Sequence, residues 1–298
     1  MMPKLMLFTL AAGFGLFGAP APDAKTFSTP VEARDALVQA VTTGHGALRE
    51  LLGVASTDVI TTGDEVQDNA LLERFRKQVT EKADVRVDTA NPNRATLLIG
   101  EEAWPFAIPL VRKNGRWSFD VQEGKAEIRR RIIGANELDA IEVCRGYVEA
   151  QQQYVETDWQ KQGVPQYAQK VISSEGKKDG LYWPGEDSPV GEGFAKAIAA
   201  GYTFSSGKPT PYHGYFYKIL MAQGPHAPGG SQEYLIHGLM LGGFALVAWP
   251  AEYGTSGIMT LIVNQDGVVY EKDLGPKTDA VAKATTKFDP DNTWRVSP

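Results

Sequence analysis

The feature that most restricts what this chain can fold into is a helical pattern over residues 125–158 with a broad apolar stripe. Leu138, Ile141, Cys144, Val148, Gln151 and Val155 recur every three or four positions, with charged and amide residues between them. A stripe of that width cannot face water over about five turns, so another layer must cover it. Ile128, Ile132 and Ile133 form an earlier cluster. Gly134 is expected to interrupt the helix, and Asn136 to cap a second one with Asp139 at its third position. The expected cover is a C-terminal sheet that Gly242 and Gly243 allow to come close. A sheet that ends just before residue 125 is the alternative.

Upstream, Ser28 or Thr29 followed by Pro30 is a helix start. Ala33, Leu37, Val38 and Val41, then Leu48, Leu51 and Leu52, give an apolar face broken at residues 42–46, hence two helices or one kinked helix. Leu71, Phe75 and Val79 mark a third. The period then changes to two. Val85, Val87 and Thr89 alternate, and strands follow at 95–99, 106–111 and 117–119, the last two separated by the hairpin signal Asn114-Gly115. Helices followed by an antiparallel sheet predict an α+β domain over residues 25–124.

Residues 125–298 form the second expected domain, a long helix with an antiparallel sheet. Glycine and proline punctuate residues 163–193, a short helix is expected at 193–200, and strands at 212–222, 244–249, 258–263 and 268–270. Asp266-Gly267 joins the last two as a tight hairpin. The apolar run 238–250 reads as buried strand, too short and too glycine-rich to span a membrane.

Residues 1–21 read as a signal peptide: Lys4, a short apolar run, and Ala19-Pro20-Ala21 as the small-x-small cleavage pattern. The expectation is export to the periplasm or beyond the cell, with no membrane span in the mature chain. Cys144 is the only cysteine, so no internal disulfide can form, and its place on the stripe makes it a small buried hydrophobe. Thirty basic against 36 acidic residues, a net charge of -6, argue against nucleic acid as a partner.

The residues that could carry chemistry are sparse. His226 and His237 with Glu233 could make a two-histidine carboxylate site, but their spacing matches no metal signature. His213 sits in an aromatic strand pattern as a packing residue, and His45 in a polar turn. The Ser-x-x-Lys pairs Ser174/Lys177 and Ser205/Lys208 enclose glycines and lack a helix to align them. Asp158 to Gly163 has the outline of a calcium loop with a single carboxylate, which does not hold calcium. Arg129, Arg130 and Arg131 fan around a helix and suit carboxylate contacts. No residue is assigned a catalytic, cofactor-binding or metal role, and no cofactor is expected.

Arg130-Arg131-Ile132, Gly134, Asn136-Glu137, Tyr147 to Tyr154, Gly180 to Pro184, Tyr212 to Tyr215 and residues 243–273 together resemble a family of exported bacterial proteins. That family is a domain of unknown function, number twenty-nine fifty, and the resemblance runs from about Thr26 to Trp294. The helix from Asn136 to Tyr154, with Gly201 to Phe204, Ala248-Trp249-Pro250 and Val263 to Gly267, is similar to type IV pilins and pseudopilins. This implies a long helix cradling a small sheet. By element order alone, the first domain is similar to a cystatin-like or nuclear-transport-factor-like cone. The leading expectation is a non-catalytic envelope protein that binds a protein or assembly partner. The alternatives are an envelope hydrolase using His213, His226, Glu233 or His237, and a small-ligand module whose cavity lies between Leu37, Leu71, Leu98 and Phe119.

Overall fold

The computed structural model describes residues 24–61, 65–191 and 211–298. The expected signal peptide, the helix expected at 193–200 and the pair Ser205/Lys208 lie outside the described residues. The fold is mixed α+β with antiparallel sheets, and the chain divides into two compact units, Met1–Arg131 and Ile132–Pro298.

The first unit begins with α1 (Pro30–Thr43), capped by the Thr29 side chain, which accepts the Glu32 backbone N–H at 3.2 Å. Then come α2 (His45–Leu52), the single turn α3 (Thr57–Ile60) and α4 (Glu65–Glu81). The helices precede β1 (Ala83–Val87), β2 (Arg94–Ile99), β3 (Trp104–Pro105), β4 (Leu110–Lys113) and β5 (Arg116–Phe119). The sheet order is β1-β2-β4-β5, with β3 also on β2 and every pairing antiparallel. Asn114 and Gly115 both take positive φ, 51° and 76°, as a two-residue hairpin turn needs. On β2 the buried side chains are Ala95, Leu97 and Ile99. Leu98 therefore points to the opposite face, and Leu71 is only half-buried beside buried Leu72. The quartet expected to line a cavity is thus split between faces. Phe75 stacks on Phe106 at 5.5 Å, and Phe106 meets Phe119 edge-on at 6.3 Å.

One helix, α5 (Val121–Val155), runs for 35 residues without a break. Gly134 does not interrupt it. A glycine there costs about 1 kcal/mol of helix propensity, which the packing on either side outweighs. Asn136 is not a cap either: its side-chain amide donates to the Ser256 carbonyl at 2.8 Å. The two compact units divide inside the helix, after Arg131. Its first turns belong to the first unit by contact. A Cβ on Gly124 would come within 2.6 Å of Ile108, Lys125 pairs with Asp58 at 2.7 Å, and Arg131 donates to the Pro105 carbonyl at 2.9 Å.

The second unit holds a five-stranded antiparallel sheet of β6 (Tyr215–Leu220), β11 (Ala245–Pro250), β12 (Met259–Asn264), β13 (Tyr270–Asp273) and β14 (Arg295–Val296). Two ribbons lie between β6 and β11 in sequence: β7 (Ala222–Gln223) with β8 (Gln232–Glu233), and β9 (Leu235–Ile236) with β10 (Leu239–Met240). The register places Tyr217, Ala248 and Leu261 side by side, and likewise Ile219, Leu246 and Val263. This face shares one core with Ile141, Cys144, Tyr147 and Val148 of α5. The opposite face lies against α6 (Thr278–Ala284). There the Trp249 indole N–H donates to Asp279 at 3.1 Å, and Lys218 donates to the Ala282 and Lys283 carbonyls at 3.2 and 2.6 Å. β11, covered on both faces, is buried along its whole length.

Three expectations about the stripe change. Leu138 is 55% exposed, so the covered face starts at Ile141. Gly242 and Gly243 do not admit the helix: a Cβ there would meet the Glu233 carbonyl at 2.5 Å and the Tyr234 ring at 2.9 Å, respectively. The buried strand starts at Ala245, and residues 239–240 belong to the β9–β10 hairpin. Buried amides fix the irregular segments. Gln151 clasps both backbone groups of Ala168 at 2.8 Å and donates to the Tyr147 hydroxyl at 3.0 Å. Gln223 donates to the Pro228 and Gly230 carbonyls and accepts from Tyr234.

Val148→Asp places a carboxylate where 5% of the side chain is exposed, and is expected to cost about 3–5 kcal/mol. Amide exchange checks the location of the damage. Strands 245–264 should lose protection and strands 83–119 should keep theirs; the reverse pattern would place the cover of α5 in the first unit.

Candidate functional site

His213, His226, His237 and Glu233 are the residues on which any chemistry would turn, and the second unit pairs His213, His226 and Glu233 each with its own residue. His213 does not sit in a strand. With φ of 47°, beside Gly214 at 71°, it forms the turn of a tight reversal closed by Tyr212 and Tyr215, and β6 starts after it. Its Nδ1 lies 2.7 Å from Asp139 Oδ2 on α5.

His226 follows β7. Its ring Nδ1 is 3.1 Å from both carboxylate oxygens of Asp289, and its backbone N–H donates to Asp289 Oδ1 at 2.8 Å. Gly224 makes that approach possible, because a Cβ would lie 2.3 Å from the Asp289 carboxyl carbon. Residues 287–289 run parallel to β7 through the Gln223–Phe288 bridge, and Lys287 pairs with Glu233 at 3.5 Å. His226 and Glu233 are thus carried on one three-segment ribbon, but each is taken by a different residue. His237, with φ of 52°, and Gly238 at 83° form the turn of the β9–β10 hairpin. Among the described residues, no group of three histidine, cysteine or acidic side chains could hold a metal ion. A histidine–carboxylate pair can fix a tautomer and move a proton, but covalent chemistry also needs a nucleophile within reach.

The other candidates resolve into local structure. Asp158 spends both oxygens on its own turn, accepting from the Gln162 and Gly163 backbone N–H groups at 3.0 and 2.7 Å. Ser174 is held by Lys170 and Asp179 rather than Lys177: the Lys170 ammonium donates to its hydroxyl at 2.8 Å, and that hydroxyl donates to Asp179 at 3.0 Å. Burial pushes the Asp179 carboxyl up, but hydrogen bonds from Lys170 and Ser174 outweigh it and leave it below the ordinary range. Arg130 and Arg131 both bind Glu127 within α5. Cys144 has no exposed surface, and burial pushes its thiol up to about 12.

The surface feature that stands out is the β9–β10 hairpin. Leu235, Ile236 and Leu241 expose 37%, 43% and 37% of their area within seven residues. The hairpin is rigidly rooted. Tyr234 and Met240 are fully buried, the Tyr167 N–H donates to the Met240 carbonyl at 2.9 Å, and the Gln169 amide donates to the Gly238 carbonyl at 2.8 Å. The signal for it lay in the two-residue turn His237-Gly238 between Leu235-Ile236 and Leu239-Met240.

Among the described residues, no helix is long and apolar enough to cross a membrane. The family model described as Protein of unknown function (DUF2950) matches residues 24–296, and the chain belongs to that family. No curated protein and no solved structure matches it.

Two measurements check this part of the structure. Iodoacetamide at pH 8 should leave Cys144 unlabelled in the folded chain and label it fully in denaturant, because the thiolate is the reactive species. EDTA should leave the melting temperature unchanged, while Asp158→Ala should lower stability by about 1 kcal/mol through loss of the capped turn.

Proposed function

We propose that this member of the DUF2950 family is an exported envelope protein, periplasmic or outside the cell, that acts by binding a protein partner through the β9–β10 hairpin. The observation that carries the proposal is the grouping of Leu235, Ile236 and Leu241 in water on a ribbon whose root is locked into the core. Three large apolar side chains held rigidly at the surface have little ordering entropy left to lose on docking. His226 and Glu233 nearby are already paired, which suits a contact surface better than a reaction site. A long helix under an antiparallel sheet supports reading the second unit as pilin-head-like. Helices before an antiparallel sheet support a cystatin-like reading of the first.

The His226–Asp289 pair is the observation behind a hydrolase reading. Among the described residues, however, the His226 ring makes no hydrogen bond to a hydroxyl or thiol.

Site-specific photo-crosslinking in the native envelope tests the proposal. A photoreactive residue at position 236 should give a discrete adduct, and one at exposed Glu156 should not. Leu235→Asp should remove the adduct without lowering the melting temperature by more than a few degrees. Equal adducts at both positions, or an adduct indifferent to Leu235→Asp, would count against the hairpin as the contact.

A further inference from the structure

Just beyond α5 the chain builds an aromatic box around one of its own cations. The indole rings of Trp159 and Trp183 lie 5.0 Å apart, tilted by 55°, and Tyr154 meets Trp183 edge-on at 6.3 Å. The Lys178 ammonium stands over both indole faces, 4.3 Å from the Trp159 centroid and 4.8 Å from that of Trp183. Asp187 closes the box: one carboxylate oxygen accepts the Trp183 indole N–H at 2.7 Å, and the other pairs with Lys178.

Two of the walls are fixed without the lysine head group. Trp183 and Tyr154 are buried, and the Tyr154 hydroxyl donates to the Lys178 backbone carbonyl at 2.5 Å and accepts from Gln160 at 3.1 Å. The Trp159 indole N–H is a buried donor with no acceptor among the described residues. The occupant is held more lightly. The side chains of Lys178 and Asp187 are 34% and 54% exposed, so the ammonium can leave by side-chain rotation with the core intact.

We propose that this cage is a binding site for the alkylammonium group of a small organic amine, with Lys178 as its resident stand-in. Two π faces select a cation over a neutral group of the same size. The Asp187 carboxylate offers an acceptor to an N–H donor, so a primary ammonium fits better than a quaternary one, which has no proton to give. Lys178 competes from within the chain at an effective concentration on the order of millimolar. An external amine therefore binds the wild-type chain weakly, and removing the lysine head group strengthens its binding.

The test is a tryptophan-fluorescence titration of the full chain with n-butylammonium chloride, with n-butanol as the neutral control. Lys178→Ala should give a saturable change at a midpoint at least about tenfold below that of the wild type, with no response to n-butanol. Adding Trp159→Ala to that variant should abolish the change. The proposal is overturned if Lys178→Ala melts like the wild type and shows no saturable response. It is equally overturned if n-butanol acts as well as the amine, or if the response survives Trp159→Ala. Should Lys178→Ala fail to fold, the wild-type indole N–H resonances of Trp159 and Trp183 decide: they shift as n-butylammonium rises, and their failure to shift overturns the site.

Discussion

The second unit depends on covering one helix face. Ile141, Cys144, Tyr147 and Val148 of α5 have almost no exposed surface, and what covers them is a sheet in which β11, between β12 and β6, is itself buried on both faces. Burying a side chain of this size is worth about 1.5–3 kcal/mol, so the group outweighs any single polar contact in the unit. The order of events in the sequence follows from it. The strands that supply the cover come long after the helix in the sequence.

Residues 156–191, which follow the helix, are largely irregular, and buried polar groups hold them and the later loops in place. Gln151 occupies the stripe but is fully inside, and its amide satisfies both backbone groups of Ala168. Gln223 does the same for the loop at Pro228 and Gly230, and Tyr234 ties the base of the β9–β10 hairpin to it. A buried amide with every partner in place fixes geometry, because breaking one bond leaves a desolvated group unsatisfied at about 1–3 kcal/mol. The exposed hairpin and the aromatic cage both hang from such anchors, one through Tyr234 and the other through Tyr154. This is how irregular segments can present fixed surfaces.

The α+β class, the helix start at Ser28 or Thr29 with Pro30, the Asn114-Gly115 hairpin and the covered stripe were legible in the sequence because each rests on local periodicity or turn chemistry. The Asp266-Gly267 turn forms, with the Gly267 N–H donating to the Asn264 carbonyl, but the strands it joins pair only from Ile262 and Tyr270 outward, so it is not a tight two-residue hairpin. What could not be read locally was decided by tertiary contact. Gly134 looked like a break, yet the helix continues because both of its halves are packed. Leu138 has the spacing of the stripe but lies beyond the edge of what the sheet covers. His213 has the composition of a strand around it, but the positive φ at His213 and Gly214 makes a turn. The His226–Asp289 pair and the Trp159–Trp183 cage join residues distant in sequence or set in irregular loops, where no period exists to reveal them.

The central claim, that the C-terminal sheet covers α5, is tested most directly by proton–proton contacts between Tyr147 and Phe244. Their rings lie edge to face with centroids 5.6 Å apart, one on the helix and the other immediately before β11. Nuclear Overhauser spectra of selectively labelled protein should show strong cross-peaks between the two rings. Assigned rings that show no cross-peak to each other, with Tyr147 in contact instead with residues of the 83–119 strands, would contradict the account.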